Sequence, residues 1–186
     1  KNKNEFTYDR KEILSNDEKE NYFMCHNNRI KYFGGFLHLK VFQKYQKQYT
    51  GKQWYERQSD YINDLSVYAG EMDDIFSLYI AESISEDDFL NHVSLLQNQL
   101  SVIQVSYQQE KENHPVRTGS YTYNQKYACE GVEETLTHLQ EILDMARENS
   151  GDVTTLAYKY LALHQNIIDS MSKYTAAQTA IAAGNP

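Results

Sequence analysis

Proline is nearly missing from this chain of 186 residues: only Pro115 and Pro186 occur. Each would break a helix interior, so a body this poor in breakers suits long helices. Cysteine is equally sparse. Cys25 and Cys129 exclude any motif of paired Cys-x-x-Cys zinc ligands, and fit either a single disulfide or two free buried thiols. No apolar run approaches the 18 or more residues of a membrane-spanning helix. The most apolar stretch, Tyr32 to Phe42, is interrupted by Gly34, Gly35, His38 and Lys40. His-Glu-x-x-His, the P-loop, Gly-x-Ser-x-Gly and Asn-x-Ser/Thr are absent as well, so no recognisable catalytic or glycosylation motif is carried. Positive charge is short overall. A net charge of −8 and a pI near 5.2 disfavour nucleic acid as main partner, since phosphate binding needs a net basic face.

What is present is distributed unevenly. Between Asn21 and Tyr55 lie six bases (Arg29, Lys31, Lys40, Lys44, Lys47, Lys52) and no acid, whereas Glu56 to Pro186 holds twenty acids against seven bases. With 40% apolar residues and sixteen tyrosines, the chain has the material for a core.

The acidic part reads as helices. From about Gln53 to Ser83, Trp54, Tyr61, Leu65, Tyr68, Met72, Ile75 and Tyr79 form an a/d seam, widened by Ile62, Ala69, Phe76 and Ile80. Ser85 is placed to cap a second helix, with Glu86, Asp87 and Asp88 against the positive end of its dipole. Phe89, Val93, Leu96, Leu100, Ile103 and Tyr107 continue its stripe. Asn113 to Ser120, with Pro115 and Gly119, reads as a loop. A third helix follows over Glu130 to Glu148 on Val132, Leu136, Leu139, Leu143 and Ala146. Its start stays open back to Tyr121, because Gly131 costs about 1 kcal/mol in a helix interior relative to Ala. Asn149-Ser150-Gly151-Asp152 predicts a glycine stop followed by a capping Asp. The fourth helix runs to about Ala182 on Val153, Leu156, Tyr160, Leu163, Ile167, Met171, Tyr174 and Ile181.

The expected fold is therefore all-α: an antiparallel up-down four-helix bundle over residues 53–183, with an N-terminal basic aromatic arm over residues 1–50. Within the arm, Phe36 to Tyr49 reads as a short amphipathic helix, although Phe36 to Val41 can equally be drawn extended.

Four-helix bundles invite a di-metal reading, which needs Glu-x-x-His motifs projecting inward. None occurs. The nearest candidates are Glu134, His138 and Glu141, which share a helix face beside the third seam, and His164 beside the fourth. Solvated polar residues and a hydrogen-bonded boundary histidine explain them better, so no cofactor, metal or catalytic residue is expected. The seam tyrosines (Tyr61, Tyr68, Tyr79, Tyr107, Tyr160, Tyr174) are expected to bury their rings and keep their hydroxyls at the boundary.

Candidate interaction residues are Arg29, Lys31, Tyr32, Phe33, Phe36, Lys40, Phe42, Lys44, Tyr45 and Lys47 in the arm, with Tyr121 and Tyr123 beside Tyr127 at one end of the bundle. The basic aromatic stretch supports three readings: packing on its own acidic bundle, contact of residues 29–52 with an anionic membrane surface, or binding of a protein partner, including self-association. The start at Lys1 rather than Met, with the poverty of catalytic motifs, leads us to expect the soluble part of a secreted or membrane-associated bacterial protein. The functional expectation is a non-catalytic protein-interaction or sensor module. The alternatives are a small metal-binding or enzymatic bundle on Glu134, His138, Glu141 and His164, and a cytoplasmic all-α regulatory protein.

Overall fold

A computed structural model of the chain describes residues 48–185. The predicted arm up to residue 47, and with it most of the short helix expected over about 36–49, lies outside the described residues. At its described end Tyr49 is extended rather than helical: it bridges to Val116, donating its N–H to the Pro115 carbonyl (3.2 Å) and accepting from the Arg117 N–H (2.9 Å).

Four α-helices follow: α1 (Gly51–Ile80), α2 (Glu86–Asn113), α3 (Tyr123–Asn149) and α4 (Val153–Ala182). All the described helices pack up and down in sequence. Arg57 of α1 meets Glu110 near the far end of α2, Lys111 of α2 meets Glu133 of α3, Glu134 of α3 meets Lys173 of α4, and Tyr55 of α1 stacks on Tyr174 of α4. The cross-section is a squeezed diamond. α3 touches each of the other three helices, whereas the backbones of α2 and α4 make no contact across the long diagonal.

Local chemistry sets the helix ends. Thr50 caps α1 and Thr122 caps α3 in reciprocal boxes with Gln53 and Gln125; Ser85 and Asp152 cap α2 and α4. One expected boundary moves. α1 stops at Ile80, not Ser83, because Glu82 adopts the left-handed conformation (φ 55°) that glycine usually supplies. The Ser83 N–H then reaches the Leu78 carbonyl (2.8 Å) and the Glu82 N–H that of Tyr79 (2.9 Å), which closes the helix without a glycine signal. Conversely, Gly151 is not among the residues with positive φ, so α3 ends without the expected glycine stop, while Asp152 caps α4 as expected.

Gly131 lies inside α3 for a reason its helix propensity hides. A Cβ there would sit 2.7 Å from the Ser170 carbonyl oxygen and 3.1 Å from the Tyr174 nitrogen, so its absence lets α4 close directly onto α3. The buried hydroxyls of Thr135 and Ser170 hydrogen-bond across this approach at 2.8 Å.

The seam tyrosines lace the remaining helix pairs. Tyr61 donates to Glu110 (3.3 Å) and Tyr68 to the Leu96 carbonyl (2.8 Å) between α1 and α2; Tyr107 donates to Glu133 (3.1 Å) between α2 and α3. Tyr160 of α4 donates to Asp73 of α1, and Tyr79 to the Ser150 carbonyl in the last turn. All five rings are buried, with each hydroxyl on a partner from another element. Buried phenols that keep a partner avoid the desolvation penalty of an orphan donor.

Candidate functional site

The polar side chains of the bundle meet in small groups that tie its helices. At the end where α1 begins, Glu110 accepts two hydrogen bonds from Arg57 (2.9 and 3.1 Å) and further ones from the hydroxyls of Tyr49 (3.4 Å) and Tyr61. The Arg57 guanidinium holds the Glu110 carboxyl below its ordinary range. Tyr49 stacks on His114, centroids 4.4 Å apart, and leans against Trp54.

Beside this group lies a second, buried one. Cys129 carries a free thiol whose titration burial pushes up to about 12, with Tyr121 as a neighbour. A thiol held neutral in this way is not a nucleophile.

The residues singled out for metal binding do not converge on one point. Glu134 bonds Lys173 (2.5 and 2.6 Å), His138 faces Glu141 (3.0 Å), and His164 faces Asp73 (3.1 Å) beside Tyr160. Among the described residues, no three His, Cys, Asp or Glu side chains come together in a way that would hold a metal ion. Their spacing set three of them on one face of α3; His138 and Glu141 meet there, while Glu134 and His164 find partners on other helices.

Of the aromatic end cluster, Tyr121 turns inward, against the start of α1 and onto Cys129. Tyr127 is half-buried with Lys173 5.9 Å from its ring centre, and Tyr123, 76% exposed, stacks on it. Arg29, Lys31, Tyr32, Phe33, Phe36, Lys40, Phe42, Lys44, Tyr45 and Lys47 lie outside the described residues. Lys52 is described, and it reaches Glu56 at 3.7 Å.

The seam pattern drew attention away from the outer faces. On α2, Leu95, Val102 and Val105 are exposed, and on α1 so are Val67 and Leu78. On α4, Tyr158, Leu161 and Ile168 project to solvent. The available signal was a second set of apolar residues at three- and four-residue steps, offset from the core seam on the same helix.

The fold thus defines an all-α four-helix bundle whose titratable groups serve as interhelical ties and whose outer faces carry apolar rows. Compared with protein-family models, with curated proteins and with solved structures, the chain shows no match.

Proposed function

We propose that this chain is a non-catalytic helical-bundle module that works by binding protein, as the soluble part of a secreted or membrane-associated bacterial protein. The supporting observation is the distribution of exposed apolar side chains. Leu95, Val102 and Val105 on α2, and Tyr158, Leu161 and Ile168 on α4, stand in rows at helical spacing on a tied scaffold. Single exposed apolar residues are ordinary, but aligned ones form the surfaces that partners cover. Rigid helix faces suit this role, because little ordering entropy is lost when they are covered.

The test is site-specific photo-crosslinking of the full chain in the cells that make it. A photoreactive phenylalanine at Val102 or Leu161 should give discrete protein adducts, and one at the exposed polar positions Thr137 or Glu148 of α3, away from both rows, should not. Adducts that are equal at all four positions, or absent from all, would refute the reading. The basic stretch 29–52 is proposed as an added contact with an anionic surface, and co-flotation with vesicles of anionic against neutral lipid measures it directly.

A further inference from the structure

The outer row of α4 has a second regularity. Tyr158, Leu161, Gln165, Ile168, Ser172, Thr175, Thr179 and Ala182 follow steps of three, four, three, four, three, four and three, a complete heptad seam turned away from the core. All eight side chains are exposed. The first half is large and the second half small. From Ser172 to Ala183 the surface is a shallow hollow lined by serine, threonine and alanine.

We infer that this face pairs with the same face of a second copy, antiparallel, about a two-fold axis level with residue 170. In that register each large residue meets a small one: Tyr158 opposite Ala182, Leu161 opposite Thr179, and Ile168 opposite Ser172 of the other copy. Gln165 falls opposite Thr175, so the one amide in the row meets a hydroxyl. A slip of one heptad one way sets Gln165 against Ile168, burying an amide on an alkyl group, and the other way it leaves Tyr158 and Leu161 with no partner in the row. A parallel pair would set large on large at one end and leave a gap at the other. Such an interface is isologous and closes as a dimer.

Charge selects the same face. α1 and α3 each hold six acids against two bases, and α2 holds five against one, a net −4 on each. α4 holds Asp169 against Lys159 and Lys173, a net +1. None of the three lies in the row. They are engaged with Gln165, Asn149 and Glu134 respectively. On a chain of net charge −8, two copies repel each other least where acid is scarce.

Size sets the strength. The row is about 36 Å long at 1.5 Å per residue, and a strip about 10 Å wide covers about 350 Å² on each copy. That is less than half of the roughly 800 Å² per partner of a standard stable interface, so the dimer is a weak one that forms at high local concentration. The inference rests on reading the bundle as a protein-binding module and names self-pairing as one of its contacts.

Sedimentation velocity of the full chain from about 1 μM to about 1 mM should show a monomer becoming a dimer across that range. Leu161→Glu and, separately, Thr179→Glu should remain monomeric with unchanged helical melting, since both positions are exposed. The register is read in a Cys25→Ser background. Chains carrying Leu161→Cys and Thr179→Cys should crosslink to one another on oxidation at least tenfold faster than either does to itself. A wild-type chain that stays monomeric, glutamate variants that dimerise undiminished, or self-crosslinking of Leu161→Cys that outpaces the mixture would each overturn the inference. Discrete adducts from Val102 in a chain that never dimerises would refute the self-pairing and leave the protein-binding role standing.

Discussion

Replacing Gly131 by alanine should destabilise the bundle, against the ordinary preference of helices for alanine. The added Cβ would lie 2.7 Å from the Ser170 carbonyl oxygen, 3.1 Å from the Tyr174 nitrogen and 3.2 Å from the Lys173 Cβ. The nearest two are backbone atoms, so no rotamer change relieves them. To restore a normal contact near 3.5 Å, α4 has to retreat by about 0.8 Å. The retreat stretches the 2.8 Å bond between Thr135 and Ser170, two buried hydroxyls that meet where the helices are closest. Overpacking costs about 1–3 kcal/mol and weakening a buried hydrogen bond about 1 kcal/mol, against a propensity gain of about 1 kcal/mol. The net is a loss of about 2 kcal/mol, which lowers Tm by about 4–8 °C in a chain of this size. Gly70, in the middle of α1, supplies the control. Nothing lies within 4 Å of a Cβ there, so Gly70→Ala should stabilise by about 1 kcal/mol. Thermal and urea unfolding followed by circular dichroism measures both. If the two substitutions move stability in the same direction, or Gly131→Ala is neutral, the close approach of α3 and α4 is wrong.

Further tests follow from single sites. Glu82→Gly should stabilise by about 1 kcal/mol, because Glu82 holds φ at 55° where glycine has no steric cost; a loss in urea unfolding would refute the α1 stop described above. Glu110 has its carboxyl held below the ordinary value of 4.5 by Arg57, so its contribution is present above pH 4.5 and is lost as pH falls through the lowered value. Glu110→Gln should therefore flatten the acid limb of a stability–pH profile below pH 4.5, by up to about 1 kcal/mol because Arg57 is partly exposed; an unchanged limb would count against the tie. In a Cys25→Ser chain, Cys129 is 6% exposed with its thiol pushed up to about 12, so a disulfide reagent at pH 8 should label it about a thousandfold more slowly folded than in guanidinium. Rapid labelling of the folded chain would contradict its burial.

The helices were legible because amphipathic periodicity is a property of the chain itself. Leu65, Phe89, Leu139 and Ile167 sit at seam positions that no other arrangement would bury, and the caps at Ser85 and Asp152 declare themselves by residue type. What was hidden depends on a neighbour. Gly131 reads as a helix fault until α4 is seen against it, and Glu82 gives no sign of the left-handed turn it makes, since its side chain offers no reason for it. For a related reason, sharing a face does not bring polar residues to one point. Glu134 and His138 are one helical turn apart, yet Lys173 from α4 takes the first and Glu141 holds the second. Glu110 went unnoticed for the opposite reason: its partners Arg57, Tyr61 and Tyr49 lie 49 to 61 positions away, and only the hairpin of α1 and α2 brings them together. The outer row of α4 is an intermediate case. Its spacing was readable all along, but a row of apolar residues becomes a surface only once a different stripe of the same helix is known to fill the core. Leu156, Tyr160, Ile167 and Tyr174 occupy that place, so Tyr158, Leu161 and Ile168 have no partner inside the described bundle. Burying them requires a surface from outside it.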